Sequence, residues 1–173
     1  MAKLVGHVLA VVGQDLTAID GPSTVATANG LGQRNPVGTQ SFDDSGNVFI
    51  YLAGVASLAV GDFVLFGQGG LFTAVRMLND GNSGGAGSVA LAMAAAVAST
   101  WGWFQIYGAN AVANVTTAAT VNSALYRTAT TSRASTSAVA KDCLYGAIAT
   151  AAGTGNVAPV WLNYPFVVDQ STL

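Results

Sequence analysis

Apolar residues along this chain come in short runs and alternations, set apart by breaks rich in Gly, Asn, Asp and Ser. Val48-Phe49-Ile50-Tyr51-Leu52 reads as a strand, followed by a bend over 54–58. Val60-Gly61-Asp62 turns into a second strand, Phe63 to Phe66. After the Gly67-Gln68-Gly69-Gly70 loop, Leu71 to Leu78 is expected as a third. Residues 88–98 are Ala-rich enough for a helix, but Val89, Leu91, Met93 and Val97 occupy odd positions, the period of a strand. Next comes Trp101-Gly102-Trp103-Phe104-Gln105-Ile106-Tyr107-Gly108, with large rings at 101, 103 and 107 on one expected face and Phe104 and Ile106 on the other. A strand apolar on both faces belongs inside a core or at a subunit interface.

Shorter strands are expected over 110–116 and 125–129. A Ser/Thr-rich stretch (130–137) leads to a last pair, 144–150 and 157–163, joined by the 151–156 turn. Pro159 should place that final strand at a sheet edge or at a bulge, because it has no N–H to donate. The tail from Tyr164 is expected to be extended. Leu4 to Val12 reads as a strand-like segment, whereas 14–46 carries repeated turn chemistry (Asp20-Gly21-Pro22, Asn29-Gly30, Asn35-Pro36, Asp43-Asp44-Ser45-Gly46). So long a stretch with little periodicity fits an extended arm lying on a neighbouring subunit, or disorder, better than an ordinary loop. The expected fold is all-β, a small β-sandwich or barrel of short strands with an extended N-terminal arm, divided as 1–46 (strand and arm) and 47–173 (β-rich domain).

Composition sharpens this picture. Charged residues are 8% and hydrophobic residues 51% of 173, there is no Glu, and Lys occurs only at Lys3 and Lys141. The decoration of solvated helices is missing; Val, Thr, Ser, Ala and 21 Gly replace it. Six cations spread along a chain of net charge −2 make no phosphate-tracking stripe, so no nucleic-acid partner is expected. So neutral a surface is expected to be covered in the working state, by oligomerisation or by docking on a larger body. The clean apolar run from Val89 to Ala98 is about half the length of a spanning helix, so no membrane partner is expected; no secretory leader is recognised at the N-terminus.

Catalytic chemistry is sparse. Gly81-Asn82-Ser83-Gly84-Gly85 resembles the nucleophile loop of chymotrypsin-like proteases, but the single histidine, His7, lacks the context of that family's base, and too little chain precedes the serine. A plain Gly/Asn/Ser loop is the better reading. One His, one Cys (Cys143, read as a small buried hydrophobe) and scattered Asp give no metal set, and Asp43-Asp44 reads as a solvated turn. No P-loop is present, and Asn114-Val115-Thr116 is a glycosylation triplet of the kind that arises by chance. The expectation is a non-enzyme with no catalytic, metal or cofactor site. Trp101, Trp103, Tyr107 and Trp161 are the candidate interface residues; core or subunit interface, rather than base or sugar stacking, is the default role of these rings.

The run 48–62, the Ala-rich lead-in to 101–108, and Gly153-Thr154-Gly155-Asn156-Val157 through Trp161-Leu162-Asn163-Tyr164-Pro165 together resemble small structural proteins of tailed-bacteriophage heads, over about residues 47–168. The resemblance implies a capsid decoration (cement) protein, a β-rich module, often a homotrimer, that bridges major capsid protein subunits. It would be located on the virion's capsid surface after synthesis in the host cytoplasm. The rival expectation is a carbohydrate-binding or adhesive surface module using exposed Trp and Tyr as sugar platforms.

Overall fold

The computed structural model describes residues 15–21, 32–77, 85–116, 119–137 and 142–168. Leu4–Val12, His7, Ser83 and the core of the Gly81–Gly85 loop lie outside them. Among the described residues the chain is nearly all β, as its composition predicts: one continuous eleven-stranded antiparallel sheet and a single 3-10 turn at Gln68–Gly70. The strands are β1 (Ile19–Asp20), β2 (Gln40–Phe42), β3 (Val48–Ala53), β4 (Phe63–Phe66), β5 (Val75–Arg76), β6 (Gly87–Ala92), β7 (Trp101–Asn114), β8 (Ala124–Arg127), β9 (Ala134–Ser135), β10 (Cys143–Ala149) and β11 (Val157–Val167).

Two circuits of hydrogen-bonded strands close on β7. The first runs β3–β7–β6–β4–β5 and returns to β3 through a bridge between Thr73 and Ala53. Inward-facing residues of each wall fill this small barrel: Ile50 and Leu52 from β3, Val64 and Phe66 from β4, Ala90 and Ala92 from β6, and Phe104 and Ile106 from β7. The second runs β7–β11–β10–β8–β9 and returns through a bridge between Ala134 and Val115. Leu125, Leu144, Val160 and Leu162 line it, and the outward-facing Phe63, Leu65, Val89 and Leu91 of the first barrel pack among them. Consequently β4 and residues 89–92 of β6 are buried on both faces, which explains why Phe63–Phe66 is an unbroken apolar run.

β6, β7 and β11 each pair antiparallel with the other two. Straight strands cannot do this, since two strands antiparallel to a third are parallel to each other. Bends resolve the conflict. β7 turns at Gly108 (φ +100°), leaving β3 and β6 to pair with β11. β11 turns where Asn163, Tyr164 and Pro165 lie between the pairs Ala147–Leu162 and Tyr145–Phe166, opposite the single residue Gly146. A side chain on Gly146 (φ +78°) would stand 2.5 Å from the Asn163 carbonyl oxygen, so the position requires glycine.

Several sequence expectations change. Residues 101–108 and 110–116 are not separate strands; β7 runs continuously to Asn114 through its bend. The strand expected over 71–78 is only Val75–Arg76, because the turn at Gln68–Gly70 carries Leu71 and Phe72 to the surface. That over 88–98 ends at Ala92; Ala96 instead exchanges backbone hydrogen bonds with Leu58, and Val97 is exposed. β11 is not an edge strand, since β7 and β10 flank it, and the bulge at Pro159 is carried by its partner β7 rather than by β11 itself. Ala111 and Val112 there oppose Pro159 alone, and the Asn110 side chain accepts the Val112 N–H at 2.8 Å. Of the segment assigned to the arm, Ile19–Asp20 pairs with Trp101–Gly102 and Gln40–Phe42 pairs with Val48–Ile50.

Candidate interaction surface

The four rings nominated by the sequence fall into two groups. Trp103 is 2% exposed and packs edge-on against Tyr51 (centroids 5.2 Å apart), with Phe49, Met93, Leu16 and the half-buried Trp101 around it. This cluster lies between the first barrel's outer wall and residues 15–21. Trp103 is therefore core, and Trp101 flanks it. Tyr107 leaves that face because the register slips between the Val48–Tyr107 and Phe49–Gln105 pairs, making Ile106 an extra residue in β7. Its ring meets Trp161 edge-on at 5.5 Å and Tyr164 at 5.4 Å.

Tyr107, Trp161 and Tyr164 begin a curved aromatic strip along the outer face of β10 and β11. Ile148 is the cross-strand partner of Trp161, and Tyr145 is that of Phe166, with the latter two rings stacked at 5.3 Å. Trp161 (39%) and Tyr164 (52%) are exposed, as are Tyr145, Ile148 and Phe166. Tyr164 sits at φ +46°, rare for a bulky residue. Its ring borders a cleft lined by Phe66, Ser88, Val89, Ile106 and Pro165, with about 210 Å³ of empty space, solvent at the mouth included. No charged residue occurs in 101–116 or 143–168. Tyr145, Ile148, Tyr164 and Phe166 were not nominated from sequence. Alternation at 145 and 148 is obscured by the Gly146 bulge, and the bend at 164 reverses the parity of the residues after it.

The charged residues nearby are spent on structure. Arg127 Nη2 and Nε meet Asp142 Oδ1 at 2.8 and 2.9 Å, both side chains being buried. Asp20, also buried, accepts a hydrogen bond from the Tyr51 hydroxyl and pairs with Arg34 Nε at 3.1 Å. Burial, together with the neighbouring Asp20 carboxylate, pushes the Tyr51 hydroxyl well above its ordinary value. Asp43 ties its own turn, accepting from the Ser45 and Asn47 backbone N–H groups and from Asn47 Nδ2. Asn114 Nδ2 donates to Asp62 Oδ1 (2.8 Å) and the Val60 carbonyl (2.9 Å), so its amide is engaged within the fold. Burial raises the half-buried Cys143 thiol, which leaves less of the nucleophilic thiolate.

Among the described residues no group of three or more His, Cys, Asp or Glu could hold a metal ion, and no helix is long and apolar enough to cross a membrane. Comparison with protein families, with curated proteins and with solved structures finds no match.

Proposed function

We propose that this chain is a structural virion protein: a capsid decoration protein that stabilises a phage head by bridging major capsid protein subunits. It works as a homo-oligomer, a trimer by the sequence resemblance, with neither catalysis nor a cofactor. The observation that carries the reading is the uncharged aromatic strip on β10 and β11, displayed by a scaffold whose strands close into two circuits. A cement protein needs a rigid body and neutral contact surface. Multivalent bridging then does the rest, because each further contact on the lattice is made at high effective concentration.

Heads assembled without the protein test this directly. Purified chain should co-sediment with them and raise the temperature at which they release DNA; failure to co-sediment at micromolar concentration rejects the reading. The exposure of Trp161 and Tyr164 on either side of the exposed polar Asn163 favours, second, a sugar platform in a carbohydrate-binding surface module. Glycan binding that is lost in Trp161→Ala would establish that reading instead.

A further inference from the structure

We infer that the strip formed by Tyr107, Tyr145, Ile148, Trp161, Tyr164 and Phe166 is the face on which a second copy of this chain docks. The inference deepens the preceding reading by assigning the contact between copies to one surface, and it moves that contact away from Trp101 and Trp103.

Charge selects the partner. β7, β10 and β11 carry no charged residue, Arg127 and Asp142 are buried against each other, and Asp43, reached from Ala109 through Asn47, is held within its own turn. A partner bringing Lys, Arg, Asp or Glu to this surface would desolvate it without compensation. Nucleic acid or an anionic lipid surface would find no cation to hold it. A partner has to be as neutral as the strip itself, and a chain with 8% charged residues supplies such a surface.

Area agrees with charge. At about 150–250 Å² for a fully buried aromatic side chain, the exposed parts of Tyr145, Ile148, Trp161, Tyr164 and Phe166 amount to roughly 400 Å². Patches of about 300–600 Å² on a monomer are often functional. With the exposed Val157, Asn163 and Val168 as a rim, the surface reaches about 600 Å², three quarters of the roughly 800 Å² per partner of a standard interface.

Pre-organisation favours a protein occupant over a small ligand. The rings already touch in pairs, at 5.3 to 5.5 Å, so little side-chain freedom is lost on docking. The backbone holds Tyr164 outward at positive φ, beside a cleft whose volume of about 50 Å³ falls far below the usual 300–1,000 Å³ of ligand pockets.

The test combines light scattering on a sizing column with hydroxyl-radical footprinting. The wild-type chain should be an oligomer at tens of micromolar. Ile148→Lys and Phe166→Ser should self-associate at least tenfold more weakly, while Val97→Lys, exposed and outside the strip, should match wild type. In wild type, Tyr145, Trp161 and Tyr164 should become more reactive to the radical on dilution, a readout that needs no variant to fold. A monomeric wild type, strip variants of unchanged mass, or ring reactivity independent of concentration overturns the inference. Glycan binding by a monomer through Trp161 does so too. A strip-dependent oligomer that ignores capsids would reject the capsid reading alone. Folded variants that keep both their mass and their capsid binding would reject only the docking face.

Discussion

Gly108 carries more of this structure than its size implies. Any Cβ there would lie 1.9 Å from Asn47 Oδ1, the atom that accepts the Ala109 N–H at 3.1 Å, and φ is +100°. On the other side of the bend, Gln105 Nε2 donates to the Tyr107 and Ala109 carbonyls at 3.1 and 3.0 Å, and Gln105 Oε1 accepts from Asn110 Nδ2 at 2.8 Å. Strain and overlap together should make Gly108→Ala cost about 2–4 kcal/mol in denaturant melts. Gln105→Leu leaves two carbonyls and an amide without this partner and should cost about 2–3 kcal/mol by the same measurement. The sequence shows Gln105 as the one polar residue within an apolar strand, but nothing marks it as the clamp of a bend. Its partners are its own near neighbours, and they come within reach only once the chain has turned.

Tyr51 gives a second residue-scale prediction, this one in pH. Its hydroxyl titrates higher in the folded chain than in the unfolded one, so between the two values the folded state holds a proton that the unfolded state has released. Its contribution is therefore complete below about pH 10 and declines as pH rises beyond it. Melts of wild type and Tyr51→Phe should run parallel from pH 6 to 9. Above pH 10 the gap between them should shrink as wild type loses its advantage; a constant gap up to pH 11.5 would contradict the assignment.

At the scale of elements, the strands most legible in the sequence are those with a plain alternation or an unbroken run: Val48–Ala53, Phe63–Phe66 and the first half of β7. Phe104 and Ile106 pack inward as their spacing predicts, because no irregularity separates them from the start of the strand. Legibility fails at bulges. One extra residue at Ile106 parts Tyr107 from Trp101 and Trp103, and the residues around Gly146 and Tyr164 bring together rings whose sequence positions share no common period. The side of a strand that a residue faces thus depends on how many irregularities precede it. Trp103 and Trp161 illustrate the outcome: similar in sequence context, one is core and the other surface. Trp103→Ala should lower stability by about 3–5 kcal/mol in the same melts, and Trp161→Ala should cost far less.

At the scale of the molecule, β7 belongs to both circuits and meets β1, β3 and β6 along one half and β11 along the other. Its partners therefore lie on both sides of it in sequence, and the one that follows it, β11, ends at Val167. A chain emerging from the ribosome presents β7 well before β11 exists to cover its second half. The first barrel has all its strands once β7 is made, whereas the second waits for β11. Pairings of such long sequence separation are slow to form and expose apolar surface in the meantime. The strip is complete only when β11 has paired with β10, so the docking inferred for a second copy would have to wait until β11 is in place.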